Sequence, residues 1–242
     1  MFVGDPHGRD QHILRSIHLN SPEAVVLLGD MCFEEPVHHI FKAVDEKSRL
    51  HWIHGNHDTV HEHWFDNIFH SPWSGRNLHG RVAPIATVRI AGLGGVFRGK
   101  IWNPTLPPRY ETRKAWQSIH SHKRFAQVYE ASKRKHESSI WPEDYDCLAM
   151  LHADVLVLHE APTSDRYGHK ALDELASKLG VRLIIHGHHH RFYCDTLDNG
   201  IAVVGLGLAQ IARLNVSAFK EAKTNEDIFA AFDFEPYTNR YE

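Results

Sequence analysis

The chain has 242 residues, 42% hydrophobic and 24% charged, a size and balance that suit a globular fold built as one domain. Lys and Arg number 27 against 30 Asp and Glu, so the formal charge is −3 and the pI about 6.7, and no overall basic field recruits nucleic acid or an anionic membrane. Cys32, Cys147 and Cys194 are odd in number and lack CxxC spacing, which argues against a disulfide framework or a thiolate zinc site and fits a reducing, cytoplasmic setting.

Only three residues precede Gly4, so the first strand, 1-MFV-3, is expected to be short or to lack its start. The N-terminal residues show no basic region followed by an apolar core, and no run of roughly 18 apolar residues occurs anywhere, so neither a signal peptide nor a membrane span is predicted. That first strand ends in 4-GDPHG-8 and a helix is predicted near 10–18. The next strand, 24-AVVLL-28, ends in 29-GD-30 and leads to a helix near 34–47; a third, 50-LHWI-53, ends in 55-GNHD-58 and leads to a helix near 61–69. Residues 85-IATVRIAGL-93 read as one further strand.

Residues 98–150 interrupt the series with a helical-looking segment opened by Pro104, Pro107 and Pro108. On a helix Trp116, Ile119, Ala126 and Tyr129 share one side, while Arg113, Arg124 and Lys135 line another as a basic stripe. The stripe reads first as a solvated face and second as a wall that attracts a phosphorylated substrate. Strands resume at 154-DVLVL-158, followed by His159 and a helix near 169–179, and at 182-RLII-185, followed by 186-HGHHHR-191. The pair 192-FYCDTL-197 and 201-IAVVGLG-207, joined at Asp198-Asn199-Gly200, predicts a hairpin. The alternation predicts an α/β fold: one domain over 1–242 with a largely helical insertion at about 98–150.

Five polar clusters stand where a strand ends, and in open α/β sheets ligands bind beyond the carboxyl ends of the strands, so these tips are expected to converge. Asp, Asn and His together supply the oxygen and nitrogen donors that hold Mn, Fe or Zn. The donors suffice for two ions, the clamp that suits an in-line phosphoryl displacement. His188 and His190 project to one side if their stretch is extended, with His189 pointing the other way, and His186 reads as a packed core residue, as do His51 and His54.

D-x-H, GD, GNHD, a lone His after a strand and GHxH, in that order over residues 4–190, resemble the calcineurin-like metallophosphoesterase superfamily. The resemblance implies a four-layer α/β/β/α sandwich of two mixed sheets with a metal site at the carboxyl ends of the strands. It implies Asp5, His7, Asp30 and His190 on one ion, and Asp30, as a bridge, with Asn56, His159 and His188 on the other. His57 would be catalytic, facing the phosphate and the leaving group. The implied activity is hydrolysis of phosphoric esters, mono- or diesters, nucleotides and phosphoproteins among them, by a hydroxide bridging two divalent ions, Mn²⁺ first with Fe, Zn or Ni as alternatives. Its partner is a phosphorylated substrate, not a membrane; nucleic acid is not favoured. Arg9, Arg98 and Arg191 lie at motif edges as candidates to grip the substrate phosphate.

One departure matters. The protein-phosphatase branch carries GDxxDRG, whose second Asp orients the catalytic His and whose Arg binds phosphate, whereas this sequence has 29-GDMCFEE-35, with Phe33 and Glu34 at those places. Glu34, Glu35 and Asp58 are the candidates left to orient His57. Two other readings are a non-catalytic metal-binding scaffold of the same fold, disfavoured by the intact donor set, and a nuclease-type phosphodiesterase, for which the basic stripe speaks and the net charge does not.

Overall fold

The computed structural model describes residues 1–45, 48–121 and 126–238. In chain order the elements are β1 Phe2–Val3, α1 Asp10–Asn20, β2 Ala24–Leu28, α2 Val37–Ile40, β3 Arg49–Ile53, α3 Glu62–Phe69, β4 Arg81–Ile85, β5 Val88–Leu93, α4 Arg113–His120, α5 Ala126–Glu137, α6 Pro142–Ala149, β6 Val155–Leu158, α7 Lys170–Leu179, β7 Leu183–His186, β8 Tyr193–Thr196, β9 Ala202–Gly205, β10 Ile211–Leu214, α8 Val216–Glu221, α9 Asn225–Ala230 and β11 Phe232–Glu235.

The strands form two mixed sheets, ordered β11-β10-β1-β2-β3 and β4-β5-β6-β7-β9-β8. β1, β2 and β3 run parallel, as do β5, β6, β7 and β9, while β10, β11, β4 and β8 pair antiparallel at the flanks. Side-chain alternation then sets the layers. Val26 and Leu28 of β2 meet Val155 and Val157 of β6 and Leu183 and Ile185 of β7 in a core between the sheets. Val25 and Leu27 turn the other way, onto Ile13 and Ile17 of α1. Leu156 and Leu158 turn away on the far side, onto Leu148 of α6 and Leu172, Leu175 and Leu179 of α7. The result is helix, sheet, sheet, helix, and the strands buried on both faces are the ones that read as unbroken apolar runs.

Four sequence expectations need correction. The strand expected over 85–93 is a hairpin: β4 and β5 are joined at Ala86 and Thr87, with Ala86 at φ 51°, and neither residue is one that marks a turn in sequence. The helix expected over 34–47 shrinks to α2, which begins only after Pro36 and is followed by turns. The long helix expected in 98–150 is three, α4, α5 and α6. Trp116 and Tyr129 do pack together, their rings stacked at 5.9 Å, but Ile119 is exposed. Of the basic stripe, Arg113 is tied to Glu137, Glu143 and Asp144, Lys135 is exposed, and Arg124 lies outside the described residues, as does the side chain of Ala126. The last strands, β10 and β11, go beyond the sequence reading; β10 pairs with β1 and completes the first sheet. Among the described residues no helix is long and apolar enough to cross a membrane, and Cys32, Cys147 and Cys194 are all free thiols.

Candidate metal centre

The five polar tips meet at one end of the sheets. Asp5 and His7 follow β1, Asp30 follows β2, Asn56 and His57 follow β3, His159 follows β6, and His188 and His190 follow β7. Nine non-glycine residues among those described have positive φ, and five of them are Asp5, His7, Asp30, His188 and His190. Such conformations cost on the order of 1–3 kcal/mol each and persist where surrounding structure enforces them, as at ligand sites. The strain also overturns one expectation: with His188 at φ 73° and His190 at φ 52°, residues 187–190 are not extended, so His189 does not point away. Its Nε2 lies 3.8 Å from Glu160, and its ring lies 4.6 Å from that of His188.

Among the described residues three donor clusters form, of Asp5, His7 and His190, of Asp30, His159 and His188, and of Glu160, His188 and His189, and the first two hold the expected ligands. Ligand atoms of Asp5, His7 and His190 lie within 4.8 Å of one another, and so do those of Asp30, His159 and His188. Asp30 stands between them: its Oδ2 is 3.7 Å from His7 Nε2 and its Oδ1 is 3.5 Å from His159 Nε2. Asp30 Oδ1 also accepts from the His57 amide at 2.7 Å, and Asp5 accepts from the His188 amide at 2.9 Å, so each aspartate is held by the backbone of another loop. Asn56 Oδ1 lies 3.1 Å from His159 Nε2, which brings Asn56 to the second cluster. Gly55 lets these loops meet, because a Cβ on it would fall 2.2 Å from Asp30 Oδ1.

The donor set asks for cations. His159 Nδ1 is 2.8 Å from the Leu28 carbonyl, which can only accept, so Nδ1 carries the proton, and when the ring is neutral Nε2 presents its lone pair to Asp30 and Asn56. Three acceptors face one another there, and a proton or a metal ion has to stand among them. A second-sphere carbonyl on the far ring nitrogen is the usual arrangement of a metal-ligating histidine. His7 Nε2 is buried with no hydrogen-bond partner, a further orphan a metal would satisfy. Without cations the cluster draws protons. Burial, with Asp30 adding to it against the pull of His159, pushes the Asp5 carboxyl up to about 7. Burial would depress His159, but Asp30 and Asp5 raise it to about 10. Burial lowers His7 to about 4 and His188 to about 3, leaving both imidazoles neutral and free to coordinate near pH 7. The residues present therefore fit two borderline divalent ions.

The other named residues are placed as follows. His57 is half exposed, its Nε2 4.0 Å from Asp30 Oδ2. None of the three acids expected to orient it does so. Asp58 is buried and accepts from the amides of Met31, Cys32 and Gly55, tying two loops together. Glu34 reaches Trp64 and His63, and Glu35 is exposed to solvent. Arg98 is largely buried and donates to Ser138 Oγ at 2.9 Å. Arg191 pairs with Asp165 at 3.3 Å, and Arg9 donates to the His7 carbonyl and lies over the Tyr237 ring. His186 is buried between Tyr193, at 2.6 Å, and the Gly187 carbonyl, at 3.0 Å. The sequence reading missed Glu160, a buried carboxylate 3.8 Å from both His188 and His189 and 3.9 Å from His169. Its signal was adjacency: it directly follows His159 at the tip of β6.

A family model described as calcineurin-like phosphoesterase matches residues 1–192. An uncharacterized protein of Haemophilus influenzae is 36% identical over 221 residues, covering 88% of this chain and 92% of that one. Among solved structures, TT1561 of Thermus thermophilus superposes with a TM-score of 0.53 at 11% identity over 97% of each chain, a likeness of fold.

Proposed function

The chain belongs to the calcineurin-like phosphoesterase family, and on that premise we propose that it hydrolyses phosphoric esters, with Asp5, His7, Asp30 and His190 holding one divalent ion and Asp30, Asn56, His159 and His188 a second. The observation that carries this reading is the placing of Asp30, whose two oxygens face these two donor clusters. Two such ions, Mn²⁺ first and Fe, Zn or Ni as alternatives, would neutralise phosphoryl oxygens and bring the pKa of a water nucleophile near neutrality.

The protein's own groups do the rest. Asp5 and Asp30 are fixed by backbone amides, so the site is organised before substrate arrives. His57 is held through its amide while its half-exposed ring stays free to meet the ester, and it gives a proton to the departing alkoxide. A positioned acid of this kind contributes about 10²–10⁴-fold. Of the three arginines, Arg98 is best placed to grip the phosphate: it is largely buried, its guanidinium is anchored on Ser138, and Asp30 and Glu160 act on it electrostatically. Arg191 is already paired with Asp165.

The test is hydrolysis of p-nitrophenyl phosphate beside bis-p-nitrophenyl phosphate, after chelation and after readdition of Mn²⁺, by the wild type, His57→Ala and Asp30→Asn. The wild type is expected to turn over only when loaded. His57→Ala should bind two equivalents of metal and lose about 10²-fold or more in kcat, as expected for a lost general acid, whereas Asp30→Asn should lose metal stoichiometry. A loaded wild type that hydrolyses neither ester would overturn the reading and leave a metal-binding scaffold.

A further inference from the structure

The segment that begins at Arg98 lines an open cavity of about 550 Å³ whose walls include Arg98, Lys100, Arg109 and Lys135, with Tyr110 and Trp116 as its aromatic side. Among the described residues no carboxylate lines it, and none of these four cations forms an ion pair. Arg113, on the same stretch of chain, is by contrast held by three carboxylates. Arg98 also feels Asp30 and Glu160, but Lys100, Arg109 and Lys135 face the same space without a carboxylate partner, and an anion placed among them removes their mutual repulsion. The positive potential is felt by a neighbour: burial, then Arg98, Lys135 and Lys100, push the His136 imidazole down to about 4.

Arg98 links the cavity to the metal centre. Arg98 lines it, and Asp30 and Glu160 of the centre act on the same guanidinium. Ser138 Oγ, which accepts from Arg98, is also 2.6 Å from the hydroxyl of Thr59, in the turn that carries His57. A ligand held among these cations would share Arg98 with a phosphoryl group at the metal centre. The cavity's volume is in the range of small-molecule sites and more than one phosphate needs.

We propose that this cavity is a second anion subsite that selects small organic substrates carrying a further phosphate group beside the one hydrolysed, their organic body packing on Tyr110. The inference rests on the phosphoesterase reading and names its substrate class. Guanidinium and ammonium groups bind phosphate through charge-assisted hydrogen bonds, and the loss of two such partners should remove most of the discrimination.

The experiment measures binding and turnover separately. Adenosine 3′,5′-bisphosphate and AMP are titrated calorimetrically onto the chelated protein, wild type and the double variant Arg109→Ala/Lys135→Ala, whose side chains are exposed. The wild type should bind the bisphosphate at least ten-fold more tightly than AMP, the double variant should bind both alike, and Arg109→Lys/Lys135→Arg should restore the preference. In the Mn²⁺-loaded enzyme the double variant should raise KM for the bisphosphate at least ten-fold and leave kcat and all p-nitrophenyl phosphate kinetics unchanged. Equal affinities in the wild type, or a preference indifferent to the substitutions, would overturn the proposal while leaving esterase activity standing. Discrimination in binding without turnover of any ester would do the reverse. Tighter binding of a single-stranded oligonucleotide with steep salt dependence would overturn it in favour of a polymer.

Discussion

The Thr59 and Ser138 hydroxyls lie 2.6 Å apart, joining the turn that carries His57 to the residue just past the end of α5. Ser138 Oγ also accepts from the Arg98 guanidinium and donates to the Lys135 carbonyl. One buried oxygen thus sets the arginine against the metal loops. Ser138→Ala should release Arg98 and leave the Thr59 hydroxyl without that partner, costing about 1–3 kcal/mol of stability. KM for p-nitrophenyl phosphate should rise several-fold while metal stoichiometry stays at two, measured by steady-state kinetics beside metal analysis. An unchanged KM would remove Arg98 from substrate binding.

Asp58 stabilises the loops and does not orient His57. Its two oxygens accept from three buried amides, those of Met31, Cys32 and Gly55. Asp58→Ala strands those donors at about 1–3 kcal/mol each, so urea unfolding should show a loss of at least about 3 kcal/mol. His57→Ala, at a half-exposed ring, should lose little stability. If Asp58→Ala kept full stability and changed only the acid limb of the pH profile of kcat, the orienting role would return.

How much of this was legible follows from what each signal depends on. The strands β2, β6 and β7 are buried on both faces, so their apolar runs were visible, and the polar residues just past them marked the site. The conformation of that site was not visible: nothing in the letters of 187-GHHH-190 says that His188 and His190 adopt positive φ, because tertiary contacts such as the His188 amide on Asp5 impose it. Glu160 was missed for the same reason, since its partners His169, His188 and His189 come from other loops. The β4–β5 turn at Ala86 and Thr87 and the closing strands β10 and β11 carry no local sequence signal and depend on pairing between distant segments.

Gly55 and Gly75 make a matched pair of glycine substitutions. A Cβ at Gly55 would meet Asp30 Oδ1 at 2.2 Å and the Asp30 amide nitrogen at 2.4 Å, backbone that cannot yield without moving the Asp30 carboxylate. At Gly75 a Cβ meets nothing within 4 Å. Gly55→Ala should abolish metal-dependent turnover and lower stability by about 1–3 kcal/mol or more, as overpacking does, whereas Gly75→Ala should stay within about 0.5 kcal/mol of wild type. Thermal unfolding with and without Mn²⁺ checks both: Gly55→Ala should show no metal-induced rise in Tm. A normal rise would mean that the β2 and β3 loops are not held as closely as the structure has them.

His136 gives the fold an acid-sensitive point away from the metal ligands. Its ring is buried with Nδ1 3.0 Å from Ser139 Oγ, and burial together with Arg98, Lys135 and Lys100 pushes it from the usual histidine value down to about 4. The unfolded chain therefore takes up this proton first as pH falls. The stability from keeping the ring neutral is fully present above about pH 6.5, the unfolded histidine value, and is lost progressively as pH falls toward about 4. His136→Gln cannot titrate, so the stability gap between wild type and variant should narrow between about pH 7.5 and about pH 4.5 in urea titrations of the chelated protein. Adenosine 3′,5′-bisphosphate bound in the neighbouring cavity would offset the positive potential on the ring and raise its folded pKa toward the unfolded value, so saturating ligand should shrink the wild-type loss. An unchanged gap across this range would mean that His136 titrates alike in the folded and unfolded chain.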